Sequence, residues 1–152
     1  MYLLDTNHCS KLIDGNPEIV KRLTELGDAP VSICSIVCGE LMFMAFKSER
    51  KDENLAQIRA FLDDIDIYPV DEKAAHVYGE LKAAIISHFG PRNREKRRSA
   101  KIEDLGFTDN DLWIAAVAKS QDLTIVSMDG DFIRLKEVDD LSVESWLTSA
   151  IN

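Results

Sequence analysis

The sequence predicts an α/β fold of three layers: a central, parallel, twisted sheet of four to five strands with helices on both faces. Three observations predict it. Short apolar runs alternate with stretches of helical periodicity, the pattern of βαβ units. Turn signals such as Gly15-Asn16-Pro17 and Gly90-Pro91 separate those stretches. The chain of 152 residues is the size of one ordinary domain, large enough to bury about two-thirds of its unfolded surface. Without internal repeats, low-complexity tracts or an interdomain linker, residues 1–152 read as a single domain.

The elements follow in order. Tyr2–Leu4 is a short strand, and Asn7 to Ile13 a short helix that stops at Gly15-Asn16-Pro17. Pro17 suits the first turn of a second helix, to Leu26, with Ile19, Leu23 and Leu26 at helical spacing. Val31–Cys34 is the second strand. Ser35 then reads as the N-cap of a helix carrying Ile36, Val37, Glu40, Leu41 and Met44. Residues 54–62 form an amphipathic helix and 65–70 an alternating strand. Asp71–Phe89 is a long helix with Ala74, Ala75, Tyr78, Leu81, Ile85 and Ile86 on its apolar side, broken by Gly90-Pro91. A loop or frayed helix end leads to a helix over 109–120, then a β-branched strand over 123–127. Met128–Phe132 reads as a turn, and Leu141–Val143 as the last strand.

The net charge is −9, with 18 basic and 27 acidic residues, and taken alone it argues against a generic binder of phosphate backbones. The average hides a split. From Arg92 to Lys101 there are six cations (Arg92, Arg94, Lys96, Arg97, Arg98, Lys101) and one acid, a charge of +5. The other residues hold 12 cations and 26 acids, a charge of −14. No apolar run approaches the ~20 residues of a membrane span, and the N-terminus lacks the features of a signal peptide. Three cysteines, Cys9, Cys34 and Cys38, sit within apolar patterns, which reads as reduced, buried thiols in a cytoplasm.

Four acids have unusual addresses. Asp5 directly follows the first strand, and Asp129 lies just past the strand over 123–127. Glu40 stands among apolar helix residues, where an acid needs a partner. Asp111 opens an almost wholly apolar helix, where it either serves the site or merely complements the helix dipole. In an open α/β sheet ligands bind beyond the carboxyl ends of the strands. Two of the four are at such ends, and the other two are in helices that begin at the same edge. Gathered carboxylates repel unless a cation sits among them. Oxygen ligands with retained waters select Mg²⁺ or Mn²⁺, and such a site activates water for phosphoryl displacement.

These residues resemble a known family. Asp5-Thr6-Asn7 after a strand is similar to the opening motif of PIN-domain nucleases, and Ser35 through Gly39-Glu40-Leu41 to the second. Asn110-Asp111-Leu112-Trp113-Ile114-Ala115-Ala116 is similar to the third and Ser127-Met128-Asp129-Gly130-Asp131-Phe132 to the fourth, with 18 residues from Asp111 to Asp129. The pattern spans Tyr2 to Val143 and is most similar to VapC-type toxins of toxin–antitoxin pairs. The resemblance implies a PIN-like fold and an endoribonuclease using one or two Mg²⁺ or Mn²⁺ ions. It implies Asp5, Glu40, Asp111 and Asp129 as the catalytic and metal-binding set, with Asp131 as an outer fifth member. Thr6 and Asn7 would support Asp5, and Ser127 would orient a water or a carboxylate. It further implies a homodimer, a VapB-like antitoxin that inserts a basic side chain into the cleft, and tRNA or ribosomal RNA as substrate.

The basic loop, at about residues 90–106, is longer than a minimal connection of that family. It reads either as an RNA-contacting arm (Arg92, Arg94, Lys96, Arg97, Arg98, Lys101) or as a solvated loop pairing with acids of the chain. Two apolar stripes, over 52–62 and 71–89, read as core or as a groove for an antitoxin helix. His8, His76 and His88 lack zinc-type spacing and read as structural or surface residues, and Trp113 and Trp146 as packing residues. Competing functions are a PIN nuclease of housekeeping RNA processing and a non-catalytic PIN binding module. A haloacid-dehalogenase-like phosphatase would need Asp-x-Asp where Asp5-Thr6-Asn7 stands, and a receiver domain would need a late lysine after a strand.

Overall fold

The computed structural model describes residues 1–148. Its centre is a five-stranded sheet of β1 (Tyr2–Leu4), β2 (Val31–Cys34), β3 (Asp66–Tyr68), β4 (Thr124–Val126) and β5 (Val143–Glu144). The spatial order is β3-β2-β1-β4-β5 and every pairing is parallel. The chain therefore winds outward from β1 to β3, then returns to the other side of β1 for β4 and β5. The switch of direction lies between β1 and β4, where Leu3 pairs with Ile125 and Leu4 with Val126. A crevice opens at such a point beyond the carboxyl ends of the strands.

The helices are α1 (Thr6–Ile13), α2 (Pro17–Leu26), α3 (Ser35–Phe46), α4 (Lys51–Asp63), α5 (Glu72–Phe89), α6 (Arg94–Arg98), α7 (Asp109–Ser120) and α8 (Gly130–Leu135), with a 3-10 turn over Glu103–Leu105. Right-handed crossovers put α1–α4 on one face and α5–α8 on the other. Packing agrees: α1 lies against α2 and α3, and α3 against α4, while α5 runs along α7 and α7 meets α8. The core is built from Leu3, Leu4, Ile33, Ile125 and Val126 of the sheet, with Leu112 and Ile114–Ala118 of α7 buried against it. Ala115, Ala116 and Ala118 let α7 approach the strands closely, which fixes the depth at which its first turn emerges.

Several local expectations are corrected. Ser35 is the first residue of α3 and not its cap; the N-cap is Cys34, without a side-chain hydrogen bond, while Ser35 Oγ accepts from Val70 N at 3.3 Å. The turn expected over 128–132 runs into α8, because the Asp129 carboxylate accepts from Asp131 N at 2.9 Å and caps a helix that buries Phe132 and Leu135. Part of the basic loop is helical, as α6, capped by Asn93. Of the two stripes read as core or groove, the one on α4 lines a cleft and the one on α5 is core. Helix α5 packs on α7, and a cleft of ≈ 870 Å³ lies between α1, α3 and α4, lined by Leu41, Met44, Lys47, Arg50, Glu53 and Gln57 among others. Among the described residues, no helix is long and apolar enough to cross a membrane.

Candidate active site

Helix starts place the acids. Asp5 leaves β1 and caps α1, its carboxylate accepting from His8 N at 2.7 Å. Asp129 caps α8. Asp111 is in the first turn of α7, whose N-cap Thr108 accepts from Asp111 N at 3.1 Å and donates its hydroxyl to Asp111 Oδ2 at 2.6 Å. Glu40 comes from the middle of α3. Three of the four acids thus lie where exposed backbone N–H groups and the positive end of a helix offset part of their mutual repulsion.

The four acids line one cavity of ≈ 280 Å³ at the β1–β4 switch, with Thr6, Asn7, Phe43, Met44 and Ile114. Each carboxylate is steered by its own donors. Glu40 Oε1 accepts from Asn110 Nδ2 at 2.6 Å, and its Oε2 from the Thr6 hydroxyl. Asp5 Oδ2 accepts from the Ser127 hydroxyl, whose oxygen in turn accepts from Asp129 N at 2.9 Å. Asp5 is itself tied to β4, its N donating to Val126 O at 3.1 Å. Asp131 turns away toward Arg134, which donates to its Oδ1 at 3.1 Å; it does not line the cavity.

Electrostatics shows that the acids share one field. The Asp111 carboxyl is pushed above the usual carboxylate range, first by burial and then by the negative charges of Asp129, Glu40 and Asp131, against the opposing Thr108 hydroxyl. Burial and the nearby Asp5 charge likewise push the Cys9 thiol well up, which keeps it a neutral packing residue. All three cysteines are free thiols.

Some residues land differently from their sequence reading. Thr6 bonds Glu40 and not Asp5, and Asn7 lines the cavity from an exposed position. Of the three histidines read as structural or surface, His8 is the structural one: it is fully buried, with Nδ1 2.9 Å from Asp5 Oδ1, whereas His76 and His88 are exposed. Asn110, which enters the sequence reading only within the third motif, reaches 70 residues back to Glu40. Its signal was its place beside Asp111 at a helix start, where its side chain faces the same edge. Trp113 stacks on Tyr78 at 3.8 Å, and Trp146 packs edge-on against Tyr2.

The matching family model is the PIN domain, over residues 2–138. The chain belongs to the PIN-domain family. A ribonuclease VapC2 of Haemophilus influenzae is 31% identical to it, over 96% of this chain and 98% of that protein. A tRNA(fMet)-specific endonuclease VapC of Shigella flexneri is 28% identical, over 95% of this chain and 97% of that protein. Among solved structures, VapBC2 from Rickettsia felis bound to a DNA fragment from its promoter superposes with a TM-score of 0.75 at 26% identity, covering 95% and 98% of the two chains.

PIN-domain nucleases are generally metal-dependent. The residues here fit such a group, since the donors are carboxylate oxygens and the neighbouring negative charges that raise Asp111 are those a cation would neutralise. The acids stand apart: among the described residues no three His, Cys, Asp or Glu side chains are gathered tightly enough to grip one ion. An open arrangement suits a small hard cation that keeps several of its waters and takes only one or two direct carboxylates.

Proposed function

We propose that this chain is a Mg²⁺- or Mn²⁺-dependent endoribonuclease, with one or two ions per site, and the toxin of a VapBC-type pair. The observation that carries the reading is the set Asp5, Glu40, Asp111 and Asp129 around one cavity at the switch point of a PIN sheet. In this reading all of residues 1–152 serve one nuclease domain, acting as a homodimer in the cytoplasm.

Asp5, Glu40, Asp111 and Asp129 would hold the metal, with Asp131 acting through Arg134 from outside. When bound, the metal supplies a water ionised near neutral pH and charge for the oxygens of an in-line displacement at phosphorus. The chain does the rest by position. Thr6 and Asn110 clamp both oxygens of Glu40 from two different helices, so α1 and α7 set its aim together. Ser127 ties Asp5 to the turn that presents Asp129. Held carboxylates need little reorganisation as charge develops during the reaction.

The substrate is RNA, and the name of the Shigella relative favours tRNA over ribosomal RNA. Arg92, Arg94, Lys96, Arg98 and Lys101 are exposed, and among the described residues none of the six cations of the arm is in an ion pair. That supports the RNA reading over internal pairing, because unpaired cations are free to replace counterions on phosphates. The arm also leads through the 3-10 turn to Thr108, the cap that holds Asp111. Inhibition falls to a VapB-like antitoxin. Met44 lines both the acid cavity and the larger α1–α3–α4 cleft, so a segment seated in that cleft would end at the acids.

The test combines purified protein with total tRNA and ribosomal RNA in Mg²⁺ or Mn²⁺, and maps the new 5′ ends. Cleavage at a discrete site, lost in chelator, is expected. Absence of cleavage of either RNA with both ions present overturns the enzymatic reading. Growth arrest on induction, relieved by co-expressing a neighbouring antitoxin gene, separates a toxin from a housekeeping nuclease.

A further inference from the structure

We propose that His8 is a positioning residue: its imidazole fixes the Asp5 carboxylate in the orientation that binds the metal. The inference rests on the reading of Asp5 as a metal ligand. It starts from a feature that neither the opening motif Asp5-Thr6-Asn7 nor stability explains. His8 is fully buried, and its Nδ1 lies 2.9 Å from Asp5 Oδ1. An ionised carboxylate only accepts, so Nδ1 carries the hydrogen and donates it. The same oxygen also accepts from His8 N at 2.7 Å, and Oδ2 from the Ser127 hydroxyl.

These contacts do different jobs. The backbone bond is an ordinary helix cap and any residue but proline at position 8 would supply it. It holds one oxygen near the start of α1, and the Ser127 hydroxyl holds the other. The imidazole, from a ring locked by burial, adds a second donor to the first oxygen and fills its remaining lone pair. One lone pair is then left, on Oδ2, and the three donors together set where it points.

The cost of this arrangement is visible. His8 Nε2 is buried with no hydrogen-bond partner among the described residues. A buried polar atom without a partner is unfavourable, and a leucine of similar volume would avoid it. What the ring contributes in return is the Nδ1 donor to Asp5. Groups that orient the ligands of a metal commonly change metal affinity by about 10- to 100-fold when removed.

The test uses the full chain without RNA. Mn²⁺ binding is followed by its electron paramagnetic resonance signal, and unfolding by calorimetry, for wild type, His8→Leu, His8→Asn and Asp111→Asn. His8→Leu is expected to weaken Mn²⁺ binding about tenfold or more while its Tm in chelator is equal or higher. His8→Asn, whose amide N–H sits near the place of Nδ1, is expected to recover most of the affinity. Wild-type affinity in His8→Leu alongside lost binding in Asp111→Asn overturns the inference and leaves the metal site standing. Wild-type affinity in both removes the site itself, and the inference with it. A His8→Leu protein that loses Tm and binding together, with no recovery in His8→Asn, shows a merely structural role. Should His8→Leu not fold, His8→Gln replaces it: its amide lies beyond the Nδ1 position, and binding equal to that of His8→Asn overturns the inference.

Discussion

Asp109 and Asp111 occupy the same turn of α7, two residues apart, and their surroundings are opposite. Asp109 Oδ1 accepts from the Tyr78 hydroxyl at 2.5 Å and from Lys82 Nζ at 3.1 Å, and Tyr78 stacks on Trp113. Those donors hold its carboxyl below the usual range, the Tyr78 hydrogen bond most of all. Asp111 shares its cavity with Asp129 and Glu40, and its carboxyl is pushed up, first by burial and then by their charges and that of Asp131. One acid is satisfied by its fold, and it welds α5 to α7. The other keeps one hydroxyl donor, Thr108, against burial and its acidic neighbours. Strained ionisation beside a cavity marks a working site, whereas a relaxed, paired acid marks structure.

The largest expected effect comes from Asp111 itself. Asp111→Asn keeps size and removes charge, so it should lower RNA cleavage by about a thousandfold, the scale of several kcal/mol of lost charge stabilisation. In chelator the same variant should melt about 1–3 °C higher than wild type, since a partly buried charge and its like-charge neighbours are relieved. Higher Tm with full activity would mean that Asp111 is only a poorly placed surface acid.

Next comes the arm. Charge reversal at Arg97 and Arg98 should weaken cleavage about tenfold or more at moderate salt and flatten its salt dependence, while Mn²⁺ binding stays as in wild type. Of the pair Arg97 is the more tied down, its Nε donating to Pro91 O at 3.0 Å, so Arg98→Glu alone isolates the RNA contribution. Cleavage unchanged in the double variant would leave the +5 segment a solvated loop.

Asp109→Asn should do the reverse of Asp111→Asn, and less. Its carboxylate is about half exposed, so losing the contacts to Tyr78 and Lys82 should cost about 0.5–1 kcal/mol, read as a Tm lower by about 1–4 °C. Cleavage should fall less than threefold, on the order of the cost of a small tilt in α7. A loss of activity as large as that of Asp111→Asn would dissolve the distinction between the two acids.

That distinction was only half legible in the sequence. Position along strands and helices is a local property, and Asp5, Glu40, Asp111 and Asp129 were found from the apolar runs beside them. The α/β order and the parallel sheet followed from the same alternation. What each acid touches is not local. Thr6 meets Glu40 across 34 residues and Asn110 meets it across 70, so nothing in either neighbourhood announced the clamp. Likewise Asp109 and Asp111 look alike in Thr108-Asp109-Asn110-Asp111; only the return of α5 beside α7 brings Tyr78 and Lys82 to one of them. The partner of Asp5 is local, by contrast. An acid that caps a helix bonds the residue three places on, and that residue was a histidine. Helix α8 was missed because Gly130-Asp131 reads as a turn until the Asp129 cap is seen.

The smallest predicted effect is on pH, and its sign follows from Asp111. Its carboxyl is raised in the folded protein relative to the unfolded chain, so above the ordinary carboxylate range the folded state holds more protons than the unfolded one. Stability therefore falls with rising pH across that window, until the raised folded value is passed. Asp109, lowered, acts the other way and at lower pH: its contribution is present above the ordinary carboxylate value and fades as pH drops through the folded one. In chelator, wild type should thus lose Tm by a small amount between the ordinary range and neutral pH, and Asp111→Asn should lose less. Saturating Mn²⁺ should remove the difference in slope at its source, because a cation bound to the ionised Asp111 favours the deprotonated form. Parallel Tm profiles for the two proteins in chelator would show that the repulsion around Asp111 is already screened by solvent.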